Sequence, residues 1–220
     1  MQTEQTGPLI VVEGADGFGK ETQVELLKTA LTSRGYQFSA YAFPRYKGPY
    51  GALIKRGLEG EFGNFLEINP YVLSALWAAD RAGVKDELVG DLRRGIVICD
   101  RYVTSNLAYQ GARFTGKART EFIRYTEKAE YGYLGLPKPD LVIYLSVPVS
   151  ISGRLLRERG DLDQYEASLA YQKEVAGVYT KLTRTRKKWA AVRCAVGTEL
   201  RSREEIHQDV LSLVLPLLNG

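Results

Sequence analysis

Leu9-Ile10-Val11-Val12-Glu13-Gly14-Ala15-Asp16-Gly17-Phe18-Gly19-Lys20-Glu21-Thr22 places an apolar run, a glycine-rich turn and a lysine in direct succession, and an amphipathic helical pattern begins with that lysine. Strand, turn and helix in this order make a phosphate-binding loop. Glycines let backbone N–H groups approach a triphosphate, the helix N-terminus adds partial positive charge, and Lys20 supplies a mobile cation for the terminal phosphates. A purely structural glycine turn has no need of a lysine after its last glycine. Candidate nucleoside triphosphate ligands are thus Gly14, Ala15, Asp16, Gly17, Phe18, Gly19, Lys20, Glu21 and Thr22. Glu21 departs from the usual pattern, which has Ser or Thr here to offer a hydroxyl to magnesium; Thr22 comes one place late. The metal must find other ligands, and the preferred reading of Glu21 is a solvent-facing acid favoured by the helix dipole, over a metal ligand or a partner of a nearby arginine.

With 220 residues, 45% hydrophobic and 25% charged, the chain can bury one sizeable core, and no linker divides it. A single α/β domain over 1–220 is expected. No apolar stretch is long enough to span a bilayer, and Met1–Thr6 has neither a basic nor an apolar leader segment, so a cytoplasmic protein without a membrane partner is expected. Cys99 and Cys194 fall within apolar runs and read as buried thiols. The net charge of +4 is modest, and many arginines cluster near the motifs below rather than along one stripe, which suits small polyanions better than nucleic acid. Arg184 to Lys188 reads as a solvated face. His207, the only histidine, lies in a C-terminal helical pattern with polar neighbours, so histidine chemistry has little to draw on.

Apolar, β-branched runs recur at Leu9–Glu13, Ile96–Asp100, Leu141–Val147 and Ala190–Val196, with a weaker one at Gln37–Phe43. The helical pattern after the loop, with Val24, Leu27 and Leu31 on one face, stops at Gly35; others cover roughly 49–58, 70–94, 117–133, 149–158, 164–187 and 202–218. Alternating strands and helices imply a parallel sheet covered on both faces, with ligands at the carboxyl ends of its strands.

The run ending at Cys99 leads into Asp100-Arg101-Tyr102, which sets a carboxylate and a guanidinium at the same sheet edge as the phosphate loop. Asp100 there can hold magnesium or cap the following turn; an arginine beside it argues for the first. In the 70–94 pattern, Trp77, Asp80, Arg81 and Val84 share a face by i, i+3, i+4 and i+7 spacing. Such a face suits a cavity for a flat anionic ligand, and equally an acid–base surface pair at the margin of an apolar stripe.

Phe43-Pro44-Arg45-Tyr46, Leu76-Trp77-Ala78-Ala79-Asp80-Arg81, Asp100 to Gln110, and Gly135-Leu136-Pro137-Lys138-Pro139-Asp140 resemble, in order, the signature segments of thymidylate kinases. The resemblance implies a three-layer nucleoside monophosphate kinase fold with a five-stranded parallel sheet and a lid, transferring the ATP γ-phosphoryl group to dTMP with Mg2+, usually as a homodimer. By motif position it implies that Arg45 and Arg101 hold the dTMP phosphate with Phe43, Pro44 and Tyr46 nearby. Trp77 would stack on thymine, Arg81 would reach a base carbonyl, and Asn106 and Gln110, with Ser105 beside them, would read the pyrimidine edge. Tyr109 would sit where a ribose 2′-hydroxyl projects. Asp16 would lie near both the 3′-hydroxyl and the metal, and Asp163-Gln164-Tyr165-Glu166 would bring Tyr165 to the sugar and Glu166 towards the metal with Asp100. A bulky ring beside C2′ excludes ribonucleotides sterically, and amides offer both donor and acceptor to a base edge.

Phosphoryl transfer asks for alignment and charge neutralisation, and a phosphate oxygen needs no general base. The cations are Lys20, Arg101, the metal and Arg154, Arg157 and Arg159, in a segment of about 152–163 that resembles the family's lid. In the family that the segments resemble, the catalytic arginine comes from the phosphate loop in one subset and from the lid in another; no arginine stands between Asp16 and Gln23, so the resemblance implies that the lid supplies it. Two alternatives remain: a kinase for another nucleoside monophosphate or deoxynucleoside, and a nucleotide-hydrolysing regulator. The absence of an Asn-Lys-x-Asp guanine-reading motif weighs against the last.

Overall fold

Five runs of apolar and β-branched residues pair as one parallel sheet: β1 (Leu9–Gly14), β2 (Phe38–Ala42), β3 (Ile96–Asp100), β4 (Leu141–Ser146) and β5 (Trp189–Arg193), in the order β2-β3-β1-β4-β5. The computed structural model describes residues 7–14, 19–160 and 162–218, apart from the Arg159 side chain. Ala15, Asp16, Gly17 and Phe18 of the predicted loop lie outside the described residues. Every residue of β1 is buried, as a central strand covered on both faces requires. Val12 pairs with Asp100 and Gly14 with Leu145, so β1, β3 and β4 end on one edge of the sheet.

One face packs on α1 (Lys20–Thr32) and α9 (Arg203–Leu218), where Leu27, Leu31, Val210 and Val214 meet Ile10, Ile98 and Ile143. The other is covered by α4 (Lys85–Arg94), α5 (Val103–Tyr109) and α8 (Leu169–Thr185) through Leu88, Val103, Val175 and Tyr179. The layers are those expected. Leu27 is fully buried, and truncating it to alanine should cost about 2–5 kcal/mol. Outside this sandwich lie α2 (Pro49–Leu58), α3 (Pro70–Ala82) and α6 (Gly116–Glu127), while α7 (Val149–Arg159) adds Ile151 and Leu155 to the α1–α9 side of the core. No helix among the described residues is long and apolar enough to cross a membrane.

Four expectations change. The 70–94 pattern is two helices. Asn69 caps α3 by accepting the Tyr71 N–H at 2.9 Å, Pro70 takes the first turn, and the helix stops at Gly83. Val84 (φ −127°) then leaves helical geometry, and the break turns Val84, Leu88 and Leu92 onto the sheet; Val84 does not share the face of Trp77. The 164–187 pattern becomes helix only at Leu169, because the Asp163 carboxylate accepts the N–H groups of Tyr165 and Glu166 at 2.8 and 2.9 Å and folds a turn instead. The 117–133 pattern is α6 followed by a π-helical turn, Lys128–Tyr133. The run ending at Val196 splits after Arg193, and Ala195–Val196 (β6) pairs antiparallel with Glu199–Leu200 (β7) around Gly197 (φ 60°). α5 lay unseen within a motif-rich segment; all seven of its residues are buried.

Candidate active site

At the carboxyl edge of the sheet, Phe43, Pro44, Tyr46, Trp77, Arg81, Arg101, Ser105, Asn106, Tyr109, Gln110 and Tyr165 line one cavity. They come from the loop after β2, from α3, from the β3–α5 turn, from α5 and from the turn before α8, and only tertiary folding joins them. Trp77 and Tyr165 lie nearly parallel, 20° apart with centroids separated by 6.2 Å. The cavity holds about 60 Å3, against about 300 Å3 or more for typical ligand pockets. Burial pushes the Tyr165 hydroxyl up to about 12, and it accepts from Gln110 Nε2 at 3.1 Å. The Gln110 Oε1 is buried with no partner among the described residues.

Arg81 is 1% exposed, so the surface-pair reading of this helix fails. Its Nε and Nη2 donate to Glu130 Oε2 and Oε1 at 2.7 and 2.9 Å, a bidentate buried ion pair. Asn106 Nδ2 also donates to Glu130, at 2.8 Å, and to the Ser74 carbonyl at 3.0 Å. Both its amide hydrogens are thereby used, and the Oδ1 acceptor is left for a ligand. Glu130 was not legible: it sits in the π-helical turn, inside a stretch that the sequence marks only as part of the 117–133 helical pattern. Asp80 is likewise fully buried. It accepts the Arg45 N–H at 2.8 Å and lies 3.6 Å from the Arg45 guanidinium. Arg45 is thus turned to a buried carboxylate that needs a cation, and it lines neither this cavity nor the cleft beside it.

Arg101 adopts φ 63°, the one non-glycine residue with positive φ among the described residues. Such a backbone costs of order 1–3 kcal/mol and persists only where its surroundings enforce it. Here the Arg101 N–H donates to the Val12 carbonyl at 3.0 Å and the guanidinium lies 5.2 Å from the Tyr109 ring centroid. Beneath it sits Glu13, fully buried at the end of β1. Glu13 accepts from the Tyr102 N–H (3.2 Å), Ser105 Oγ (2.8 Å), the Tyr179 hydroxyl (2.7 Å) and Thr104 Oγ1, and lies 4.0 Å from the Arg101 guanidinium. Ser105, expected at the substrate, gives its hydroxyl to this carboxylate. A lone acid closing an apolar strand was the one sequence signal for Glu13.

Beside the cavity opens a cleft of about 1210 Å3, reached by Gly19, Lys20, Glu21, Thr22, Asp100, Arg101, Asp163 and Glu166. Gly19 (φ 89°) makes the left-handed step into α1, and a Cβ on Gly14 would meet the Leu145 carbonyl at 3.1 Å. Lys20 is 8% exposed, whereas Glu21 is exposed on the first turn of α1. Asp100 Oδ1 is buried without a hydrogen-bond partner among the described residues, a hard oxygen donor that fits a magnesium shell. No three described His, Cys, Asp or Glu side chains form a metal cage. A neighbouring cavity of about 270 Å3, lined by Gly19, Thr22, Cys194, Leu200, Arg201 and Arg203 among others, went unforeseen because the β6–β7 hairpin makes it. Arg154 and Arg157 are exposed on α7 and line none of these cavities.

The family model for thymidylate kinase matches residues 12–210, from β1 into α9. The chain belongs to the thymidylate kinase family. It is 38% identical over 183 residues to a thymidylate kinase of Mycobacterium tuberculosis (strain H37Rv), covering 79% of this chain and 85% of that one. It is also 36% identical over 217 residues to a probable thymidylate kinase of Pyrococcus horikoshii, covering 97% and 98%. A solved thymidylate kinase from Candida albicans superposes with a TM-score of 0.75 at 23% identity, covering 97% of this chain and 93% of that one, and shares the fold.

Proposed function

We propose that this chain transfers the γ-phosphoryl group of ATP to dTMP, giving dTDP and ADP. The observation that carries the reading is a cavity with two near-parallel rings, Trp77 and Tyr165, a polar wall of Arg81 and Asn106, and Arg101 at its mouth, opening onto the phosphate-loop cleft. Thymine stacks on Trp77; the Asn106 Oδ1 accepts from its ring N–H, and Arg81 donates to a carbonyl. Arg101 draws the acceptor phosphate to the cleft, and Tyr109 occupies the space beside C2′. Lys20 and the loop amides, with Asp16 outside the described residues, hold the donor phosphates, and the adenine lies in the cavity under the β6–β7 hairpin.

Asp100, Glu166 and Asp16 are the residues that would hold Mg2+, which when bound neutralises charge on the β- and γ-phosphates. In-line attack by an acceptor phosphate oxygen needs no base, and the work is positioning. Arg154, Arg157 or Arg159 reaches the transferring group when the segment of about 152–163 closes as a lid. The chain acts as one domain and as a cytoplasmic homodimer, whose contact face includes the exposed Tyr71, Val72 and Tyr125 of α3 and α6. A panel of nucleoside monophosphates assayed with ATP and Mg2+ tests the reading. Preference for dTMP supports it; preference for another acceptor, or hydrolysis without one, rejects it.

A further inference from the structure

A second cleft, of about 590 Å3, opens at the opposite end of the sheet, and it shares no lining residue with the acceptor cavity or the phosphate-loop cleft. Val142 near the start of β4 and Trp189 at the start of β5 belong to its floor, with Leu107 of α5. Four residues of strand at about 3.3 Å each set Val142 and Trp189 roughly 13 Å from the catalytic edge, while Thr104 of α5, which also lines the cleft, reaches back to Glu13.

Its rim is cationic. Arg124, Lys128, Lys138, Arg186, Lys187 and Lys188 converge there from α6, the π-helical turn, the loop before β4 and the loop after α8, against the single acid Glu127. Arg186 is paired with Glu127 at 3.1 Å, Lys188 with Asp140 at 2.9 Å, and Lys128 lies 5.3 Å from the Tyr133 ring centroid. Arg124, Lys138 and Lys187 have no hydrogen-bond or ion-pair partner among the described residues. The Arg184 to Lys188 run is exposed, as its reading as a solvated face requires, and Arg186, Lys187 and Lys188 make half of the cleft's exposed cationic rim. Unpaired like charges gathered over an apolar floor repel one another, and an anion bound among them relieves that repulsion.

We propose that this cleft binds a nucleoside polyphosphate at a site separate from the two catalytic nucleotides. The volume lies within the range of small-molecule pockets, and three unpaired cations match the charge of a di- or triphosphate. The indole of Trp189 and the Leu107 and Val142 side chains give the base an apolar surface.

The chain has two tryptophans, Trp77 and Trp189, so a Trp77→Phe background makes Trp189 the sole indole reporter. ADP, inorganic tripolyphosphate and a single-stranded oligonucleotide are titrated into that protein, and into the same protein carrying Lys138→Glu and Lys187→Glu. The expected result is saturable quenching by ADP, tighter than by tripolyphosphate. It should weaken at least tenfold in the charge-reversed protein, with the KM for ATP and kcat unchanged between the two. Quenching that survives charge reversal, no quenching at millimolar ADP, equal response to tripolyphosphate, or tighter binding of the oligonucleotide overturns the proposal.

Discussion

Replacing Glu13 by glutamine removes one charge from the centre of the acceptor side while keeping its shape. The carboxylate receives four donors and faces the Arg101 guanidinium at 4.0 Å. A hydrogen bond to a charged group contributes about 1.5–3 kcal/mol against about 0.5–1.5 for a neutral one. Four weakened bonds thus lose roughly 4–6 kcal/mol, of which easier burial of a neutral amide returns about half. A net loss of about 2–3 kcal/mol is expected, and for a chain of this size it lowers Tm by roughly 4–12 °C. The same carboxylate fixes Arg101 in its left-handed backbone, and displacing a positioning group by about 1 Å can cost about a hundredfold. Steady-state ADP release well below Tm should therefore show kcat/KM for dTMP down about ten- to hundredfold, with the KM for ATP little changed. Tyr179→Phe, which removes one donor and leaves the charge, should cost about 1 kcal/mol and under threefold in rate. Wild-type Tm and kcat/KM in Glu13→Gln would refute the reasoning, and a lowered Tm with wild-type kinetics would reduce Glu13 to a structural role.

Glu130→Gln leaves Arg81 as a buried cation without its counter-ion, and denaturant unfolding should register a loss of about 3–5 kcal/mol; a change under 1 kcal/mol would mean the pair is not formed in solution. Arg154→Ala and Arg157→Ala alter exposed side chains, so stability should stay within about 0.5 kcal/mol. Among Arg154→Ala, Arg157→Ala and Arg159→Ala, the variant that removes the lid cation should lower kcat about a thousandfold with the KM for dTMP nearly constant in single-turnover kinetics, and near-wild-type turnover in all three would reject the lid assignment. His207 is 9% exposed and its Nδ1 has no partner among the described residues. Burial first, and then the Arg34 charge, hold its pKa below the ordinary 6.5. The unfolded chain then takes up the proton first, so stability is full above about pH 6.5 and falls as the pH drops towards the folded value. In thermal melts between pH 5 and 7, His207→Gln should flatten that fall; an unchanged profile would assign it to other groups.

Much of the site was written locally. Gly14 and Gly19 to Lys20 announced a phosphate loop because close backbone approach and a left-handed step exclude most other residues, and Asp100-Arg101 followed a strand whose end could be counted. Trp77 and Arg81 were picked out by helical spacing over a single turn. Glu13, Glu130 and the β6–β7 cavity were hidden for a common reason. Their meaning depends on partners 24 to 166 positions away, from Asn106 with Glu130 to Tyr179 with Glu13, and an isolated acid in a charged stretch has no periodicity to betray it.

The amino-acid sequence by itself determined the parallel sheet, the order of its motifs and the family, since strand hydrophobicity, glycine geometry and motif spacing are properties of short segments. Tertiary structure decided which charges are satisfied. It turned Arg45 to Asp80, tied Arg81 and Asn106 to Glu130, left Arg154 and Arg157 outside the cleft, and gathered a second cationic cleft from three separate stretches of chain. Burial makes an unpaired charge costly, and only the packed fold determines which carboxylate lies within reach of which guanidinium.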